Sequence, residues 1–412
     1  MVAKYTIAAF VPGATPGVAD GSSGDGAGRT PVVDSAMIAS DAPSGARLTS
    51  DDAVALYRRP LFDVAGDAFE ARAARTDATV VTYLIDRNVN YSNVCNVGCA
   101  FCGFYRTRRQ DDAYTLSFEE ISVKLRELEA VGGTRVLMQG GVNPYLPFEW
   151  YLDLLAYLGA NHPTIRVEAF SPEEIKGMTK LTGMTAIEVL RELQAAGLDG
   201  LPGGGGEMLV DDVRHASHVS PARISTDEWL AIMADAQRLG LYTTATMVIG
   251  FGESQAQRVA SLMRLRDAQD RALAEHGNGY SAFIAWTLQT KGVRIEGKAP
   301  GAGAFEYLQH VAVSRLVLDN VANIQASWPT MGYKVAQTAL FAGANDFGST
   351  MLEENVVSQA GATHRATPER EMVRQIVDAG FEPRQRDSLY NVIRTPDVAA
   401  MLAPPTPAAT PA

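Results

Sequence analysis

Three cysteines, Cys95, Cys99 and Cys102, lie within eight positions of one another, and the 412 residues contain no others. Their C-x3-C-x2-C spacing lets one loop fold around a single metal centre, because soft metal ions prefer thiolate ligands. An odd number of such closely spaced cysteines argues against a disulfide framework and favours a reducing compartment. The pattern therefore predicts a metal centre that lacks one protein ligand.

A structural zinc ion is the first alternative, and it would need a fourth protein ligand. The nearest histidines, His162 and His215, lie far along the chain and form no compact zinc motif with the cysteines. Buried thiols without a metal are favoured even less by this spacing. What remains is an iron-sulfur cluster held by three thiolates, with one iron open to an outside ligand.

The cysteine motif, with Phe101 directly before its last cysteine, resembles the signature of the radical S-adenosylmethionine (SAM) enzymes. The resemblance implies that Cys95, Cys99 and Cys102 bind a 4Fe-4S cluster and that SAM chelates the open iron. In that family one electron from the cluster cleaves SAM to a 5′-deoxyadenosyl radical. We therefore expect an electron donor such as flavodoxin or ferredoxin as a partner.

Longer segments between about residues 80 and 395 are similar to one branch of that family, the cyclic dehypoxanthinyl futalosine synthases of menaquinone biosynthesis. The longest such segment, 343–355, is the most specific. The resemblance implies that the radical takes hydrogen from the sugar C4′ of dehypoxanthine futalosine, and that the carbon radical adds to the benzoate ring. A related radical enzyme, such as aminofutalosine synthase or a deazaflavin-forming synthase, is the alternative, and a non-catalytic metal-binding protein is a third.

Composition favours a globular enzyme, because 46% hydrophobic and 20% charged residues allow a large core. The net charge of −11 argues against binding to a nucleic-acid backbone. The sequence contains no run of about 18 apolar residues, so it predicts no membrane span. We expect no signal peptide, a cytoplasmic location and a small-molecule substrate.

The chain divides by composition into a mostly flexible extension at 1–50, an ordered part at 51–400 with C-terminal helices, and a disordered tail at 401–412. In the ordered part, short β-rich runs alternate with amphipathic helical stretches. This predicts an α/β protein, a (β/α)8 TIM-type barrel of the radical SAM superfamily, with its site in the loops that follow the strands. The predicted strands are 80–85, 135–139, 165–170, 200–201, 242–249, 282–286, 323–327 and 342–345.

The cofactor site is predicted in the loops after the first strands. The family's Gly-Gly-Glu, which holds the methionine amino group, appears here as Gly140-Gly141-Val142, so Gln139 or backbone carbonyls would serve instead. Alternation on the third strand places Glu168 inside the barrel, either in a network with Arg166 or against a ligand. The predicted cofactor-binding residues are Phe101, Tyr105, Gln139, Gly140, Gly141, Glu168 and Gly250.

The substrate's sugar diol needs hydrogen-bond acceptors near the carboxyl ends of the last strands. We predict Asn345 and Asp346 at the end of the eighth strand for this role, with Gln325 and Ser327 on the seventh. Glu207, which follows a run of glycines after the fourth strand, is the predicted catalytic base. A solvated loop glutamate is the alternative interpretation of Glu207.

Overall fold

The fold is taken from a computed structural model that describes residues 47–364 and 366–403. The predictions of a flexible extension and a disordered tail fall mainly outside the described residues. In the described part of the chain, no helix combines the length and the hydropathy that crossing a membrane requires.

Strands and helices alternate through most of the chain. The strands are β1 (Val80–Leu84), β2 (Asp86–Val89), β3 (Arg135–Met138), β4 (Arg166–Ala169), β5 (Gly200–Leu201), β6 (Tyr242–Ile249), β7 (Tyr280–Thr287), β8 (Asn323–Gln325), β9 (Asp346–Ser349), β10 (Glu382–Arg386) and β11 (Val392–Arg394). The helices are α1 (Ser50–Leu56), α2 (Leu61–Ala73), α3 (Phe118–Ala130), α4 (Phe148–Asn161), α5 (Pro172–Thr182), α6 (Ala186–Ala196), α7 (Asp211–Arg214), α8 (Thr226–Arg238), α9 (Gln255–His276), α10 (Ala304–Val317), α11 (Trp328–Met331), α12 (Tyr333–Phe341), α13 (Glu369–Asp378) and α14 (Val398–Leu402).

A parallel barrel forms the centre of the molecule. From β2 to β9 each strand pairs in parallel with the next strand along the chain. Ile85 alone separates β1 from β2, so these two form one bent strand, and β1 pairs with β9. The amides of Thr350 and Leu352 also bond the carbonyls of Leu84 and Asp86, at 2.9 and 3.1 Å. The sheet thus closes, and the predicted (β/α)8 barrel is confirmed.

Local sequence sets the helix starts that fix the barrel loops. At each of three predicted helices, a serine hydroxyl accepts a hydrogen bond from the third residue's amide, and that residue's side chain returns to the serine. The pairs are Ser117 with Glu120, Ser225 with Glu228, and Ser254 with Gln257. The sequence predicts these helices at 117–131, 226–239 and 254–275, and each bound lies within about one residue of that in the structure.

Alternation along the strands separates the core from the barrel interior. Val136 and Val167 are buried in the hydrophobic core, whereas Leu137 and Glu168 line an interior cavity. Glu168 therefore faces inward as predicted. Its ionic partner is Arg135 rather than the predicted Arg166, which is partly exposed and lies 3.5 Å from a carboxylate oxygen of Asp199.

The eighth strand of the barrel was predicted four residues too early. Residues 342–345 form the turn before β9, and the strand itself is Asp346–Ser349. A sequence that begins with aspartate does not suggest a buried strand. Asp346 is fully buried because Arg386, from β10, binds its carboxylate with two nitrogens at 2.5 and 3.0 Å.

A C-terminal hairpin closes the amino-terminal end of the barrel, and the sequence analysis did not predict it. β10 pairs in parallel with β1 and antiparallel with β11. The register matches Tyr83 with Gln385, and the guanidinium of the next residue, Arg386, binds Asp346 at the start of β9. The hairpin thus carries side chains from the end of the chain into the barrel interior.

Candidate active site

A cavity of about 370 Å³ occupies the barrel interior and reaches the cysteine loop. This volume is in the range of small-molecule sites. The three cysteines, Cys95, Cys99 and Cys102, line it. Of the other predicted site residues, Phe101, Gln139, Gly140, Glu168, Glu207 and Gln325 line it as well.

The cysteine surroundings fit an iron-sulfur cluster. Burial raises the pKa of the Cys99 thiol to about 12, against the opposing charge of Arg223 and a hydrogen bond from Ser220 Oγ at 3.2 Å. Burial also raises the pKa of Cys102, although the backbone N–H groups of Tyr105 and Phe104 oppose it. Buried thiols become thiolates readily when a metal supplies positive charge.

The arrangement of acidic and soft ligands bears on what kind of metal centre would bind. Among the residues that the structure describes, no three His, Cys, Asp or Glu side chains converge on a point where one ion would bind. An iron-sulfur cluster needs a different arrangement of ligands, because each thiolate binds a separate iron atom of the cluster. Three thiols on one loop at a cavity wall provide that arrangement.

The glycines after β3 allow close packing against the cysteine loop. A Cβ on Gly141 would lie 2.2 Å from the Val94 carbonyl oxygen and 2.7 Å from the Cys95 Cβ. A Cβ on Gly140 would lie 2.6 Å from the Tyr91 ring. Gly140 lines the cavity, whereas Gly141 lies behind it, against the backbone that carries Cys95. Gly141 therefore supports the cluster loop, and its predicted role in direct cofactor contact is not supported by its position.

Gly141→Ala is expected to displace the cysteine loop, since the clash is with backbone atoms that have no rotamer to change. We expect lower cluster content after anaerobic reconstitution, measured as iron and sulfide per chain. Gly159→Ala is the matched control, because nothing lies within 4 Å of a Cβ at Gly159 in α4. That change should leave cluster content unaltered. Equal cluster content in both variants would contradict the packing role of Gly141.

Arg223 is a site residue that the sequence analysis missed. Its guanidinium lies 2.5 Å from Glu207 and 3.1 Å from Glu173, and 5.5 Å above the Phe101 ring. Arg223 and Glu173 are both buried and line the cavity beside Cys99. Loop 215–225 carries no motif that marks Arg223, so only the tertiary contacts reveal it.

Glu207 does not have the properties of the predicted catalytic base. Burial alone would raise the pKa of its carboxyl, but the positive charges of Arg223 and Arg214 hold that pKa below its usual value. A carboxylate held ionised by a buried cation is a weak proton acceptor. It is also mostly buried rather than solvated, so the alternative interpretation is wrong too. Its geometry suits holding Arg223 beside the cysteine loop.

Two predicted substrate residues lie at the wrong end of the barrel. Asn345 and Asp346 come at the start of β9, so they are far from the loops that follow the strands. The side-chain Oδ1 of Asn345 accepts a hydrogen bond from the Arg315 guanidinium at 2.7 Å, and Asp346 is paired with Arg386. The prediction that they bind the sugar diol was wrong, because it rested on the misplaced strand.

Three further predicted residues lie outside the cavity wall. The Ser327 amide donates to the Tyr307 hydroxyl and its side chain pairs with Thr330 at the start of α11. Gly250 has φ +111° and its backbone turns towards Glu253 and Gly301. The Tyr105 ring packs under the Arg294 guanidinium at 5.1 Å. The Ser327 and Tyr105 side chains and the Gly250 backbone therefore do not line the cavity, and of these three residues only Tyr105 faces a cysteine, through its amide.

Glu174 connects three of the loops that surround the site. Its Oε1 accepts from the Tyr91 hydroxyl at 2.5 Å and from the Gly140 amide at 3.0 Å, and its Oε2 accepts from the Ser171 hydroxyl at 2.7 Å. Burial raises the pKa of this carboxyl to about 7, because lost hydration outweighs the hydrogen bonds. The protonated form can keep the same contacts by donating to Ser171.

Glu174 should make the stability depend on pH. The unfolded carboxyl ionises near 4.5 and the folded one near 7, so the free energy of unfolding should fall by about 3 kcal/mol as pH rises through that window. Glu174→Gln removes the titrating carboxyl, so the free energy of unfolding of this variant should not show the decrease with pH. Urea unfolding of both proteins at pH 5 and pH 8 measures the difference.

Glu120→Gln is the control for that measurement, because Glu120 is an exposed capping residue whose pKa is lowered by hydrogen bonds from Ser117. A lowered pKa stabilises the folded form above the unfolded pKa and is lost only in acid. Glu120→Gln should therefore leave the change between pH 5 and pH 8 as in the unmodified chain. A Glu174→Gln protein with the same pH dependence as the unmodified chain would refute the assignment.

The chain matches known proteins over most of its length. Residues 89–265 match the model of the radical SAM superfamily, and residues 277–399 match the CofH/MqnC C-terminal region. Cyclic dehypoxanthine futalosine synthase of Halalkalibacterium halodurans is 42% identical over 355 residues, which cover 86% of this chain and 94% of that protein. The chain belongs to the radical SAM enzymes of the futalosine-synthase type. Enzymes of this type use a 4Fe-4S cluster and SAM, which confirms the cofactors predicted from the cysteine motif.

Other similar proteins differ in their named activities, which shows how broad the resemblance is. The synthase of the same name from Streptomyces coelicolor is 38% identical over 353 residues, 85% of this chain and 86% of its own. The 5-amino-6-(D-ribitylamino)uracil–L-tyrosine 4-hydroxyphenyl transferase of Methanopyrus kandleri is 38% identical over 320 residues, 76% of this chain and 85% of its own. Among solved structures, methylornithine synthase has a TM-score of 0.64 at 19% identity and covers 89% of this chain and 98% of its own, which concerns the fold alone.

Proposed function

We propose that the chain converts dehypoxanthine futalosine to cyclic dehypoxanthinyl futalosine. The observation that carries this proposal is one barrel cavity that the three cysteines line together with apolar and polar side chains. Two relatives with that activity in their names support it, at 42% and 38% identity.

When bound, the cluster and SAM supply the 5′-deoxyadenosyl radical, for which a donor such as flavodoxin or ferredoxin provides the electron. Overall, the sugar C4′ loses a hydrogen atom, a bond forms to the benzoate ring, and an electron and a proton leave. The product is two hydrogens lighter than the substrate.

The chain's own residues hold the substrate and exclude water. Leu137, Ile284 and Trp286 give the cavity apolar walls, so the reacting carbon atoms can be held in contact away from solvent. Thr244 and Thr246 face the same space, but their hydroxyls are engaged with backbone groups of Gly203. They therefore fix the loop after β5.

The test uses the full chain after anaerobic reconstitution with iron and sulfide. It is incubated with dithionite or reduced flavodoxin, SAM and dehypoxanthine futalosine. We expect 5′-deoxyadenosine to form in step with a product two mass units below the substrate. Formation of 5′-deoxyadenosine with no consumption of this substrate would overturn the proposed substrate and keep the radical chemistry.

A second candidate is the transferase reaction, which the relative from Methanopyrus kandleri favours with 38% identity. Its printed substrates are 5-amino-6-(D-ribitylamino)uracil and L-tyrosine. A parallel incubation with those two compounds decides between the activities, since only one reaction joins two molecules. Both candidate reactions use a substrate with a hydroxylated five-carbon portion.

A further inference from the structure

The barrel cavity has a second polar region besides the cysteine loop. We call it the floor and define it as Asn88, Arg135, Glu168, Arg386 and Tyr390, all of which line the cavity. Strand register pairs Asn88 with Leu137 and Leu137 with Glu168, so Asn88 and Glu168 flank the same residue of β3.

The floor lies below the cysteine loop at a distance that β3 sets. Leu137 pairs with Glu168, and Gly141, four residues further along, packs against Val94 and Cys95. Four residues of extended chain span roughly 13 Å. A group bound at the floor can therefore leave its neighbouring atoms facing the cysteine loop, and the role of Glu168 in cofactor binding stays a prediction.

The floor contains buried polar atoms without partners. Across residues 47–364 and 366–403, Glu168 Oε1, Asn88 Oδ1 and the Tyr390 hydroxyl are buried and have no partner at hydrogen-bond geometry. The Ser388 hydroxyl is close enough to Glu168 to offset part of the rise that burial causes in the pKa of that carboxyl. Glu168 is 1% exposed. Leaving such atoms unpaired costs free energy, so each indicates a ligand or ordered water in the working protein. Two of the three are acceptors only, and they call for a ligand that donates hydrogen bonds.

The charges of the floor disfavour an acidic ligand. Arg135 is paired with both Asp86 and Glu168, and Arg386 is paired through two nitrogens with Asp346. Three carboxylates thus face two guanidinium groups, and neither cation is left without a carboxylate. A ligand carboxylate would add a further negative charge to a buried site. Neutral hydroxyl groups avoid that cost and can donate to a carboxylate, as ribose hydroxyls do in nucleotide sites.

Tyr390 is held in a conformation that needs a reason. It has φ +65°, which is unusual for a bulky residue, and the Arg386 guanidinium lies 3.8 Å over its ring. The turn that carries it is fixed by Asp387, whose carbonyl accepts from the Tyr390 amide at 3.3 Å. Such backbone strain concentrates at functional sites. Here it directs an aromatic hydroxyl from the C-terminal hairpin into the cavity.

We propose that the floor binds the hydroxyl-bearing end of the substrate, with Glu168 and Asn88 accepting hydrogen bonds from a diol and the Tyr390 hydroxyl contacting the same end. The acid end of the substrate then points away from the floor. This inference rests on the proposed function, and it replaces Asn345 and Asp346 as the diol site. It also gives the C-terminal hairpin a role in substrate selection.

The test combines a side-chain change with a matching change in the substrate. The reconstituted full chain and its Tyr390→Phe variant are each assayed with dehypoxanthine futalosine and with its 2′,3′-dideoxy analogue. We expect Tyr390→Phe to raise KM for the parent compound about tenfold, the loss of one buried hydrogen bond. The unmodified chain should have a high KM for the dideoxy analogue, and Tyr390→Phe should raise that KM little further. For a methyl ester of the benzoate, Tyr390→Phe should raise KM by the same factor as for the parent compound.

Tyr83→Phe is the matched control, because the Tyr83 hydroxyl is buried but donates to Glu369 at 2.5 Å, outside the cavity. It should leave KM unchanged. Glu168→Gln is the second variant, in case Tyr390→Phe folds poorly, and it should also raise KM for the parent more than for the dideoxy analogue. Equal losses for parent and dideoxy analogue in both variants would overturn the floor as a diol site.

Calorimetric binding of the same compounds separates this inference from the proposed function. Absence of turnover together with hydroxyl-dependent binding would refute the cyclase and keep the floor site. Normal turnover with no dependence on Tyr390, Glu168 or the hydroxyls would keep the cyclase and refute the floor site.

Discussion

Cys99→Ser is expected to reduce 5′-deoxyadenosine formation to background and to remove most of the cluster. Serine has nearly the same size, but its hydroxyl is a hard ligand that does not ionise near neutral pH, whereas iron-sulfur clusters need thiolates. Only three cysteines exist in the chain, so no other thiol can take over. The measurements are iron and sulfide per chain after anaerobic reconstitution, and 5′-deoxyadenosine by chromatography.

Ser220→Ala provides the graded comparison for Cys99→Ser. It keeps the thiol and removes only the hydrogen bond that Ser220 Oγ donates to Cys99 Sγ at 3.2 Å. Losing an outer partner of a metal ligand costs roughly 10–100-fold in affinity or activity, so a measurable cluster should remain. If Cys99→Ser kept a rate within a factor of ten of the unmodified chain, the assignment of Cys99 as a cluster ligand would be wrong.

Arg223→Met is expected to lower the free energy of unfolding by about 3–5 kcal/mol, because it leaves the buried carboxylates of Glu207 and Glu173 short of their main cation. Methionine fills much of the space, so the loss is chiefly electrostatic. Adding Glu207→Gln to this variant should restore part of the stability, since one of the uncompensated charges is then gone. Urea unfolding of the single and double variants measures both effects.

Arg238→Met is the control for Arg223→Met. Arg238 also pairs with a carboxylate, Asp235 at 3.3 Å, but its side chain is 53% exposed. Exposed pairs contribute about 1 kcal/mol or less, so its removal should change stability little. Similar losses at Arg223 and Arg238 would show that burial of the Arg223 network adds nothing.

Local patterns explain what could be predicted about the fold. Helices α3, α8 and α9 begin at serines that form capping boxes within four residues, so sequence neighbours alone decide these starts. Strand β9 behaves differently. Its first residue, Asp346, is buried only because Arg386 arrives from 40 positions away, and no local pattern announces that pairing. The error at this strand then moved two predicted site residues to the wrong end of the barrel.

The candidate site shows the same difference between residues that local sequence reveals and residues that only long-range contacts reveal. The cysteines predicted as cluster ligands lie on one loop, whose spacing limits their separation whatever the rest of the chain does. Arg223 could not be predicted, since its partner Glu173 lies 50 positions away and its loop has no motif. The sequence gives one weak indication of Arg135, because it is a charged residue at the start of an otherwise apolar strand.

The sequence by itself determined the cysteine loop, the alternation of strands and helices, and the family to which they point. Those features depend on residues within a few positions of each other. The tertiary structure decided which polar side chains meet in the cavity, because strand register and the C-terminal hairpin bring together residues that are far apart in the chain. Glu168 shows the difference. Alternation turned it inward, but only the tertiary structure paired it with Arg135 and made both line the cavity.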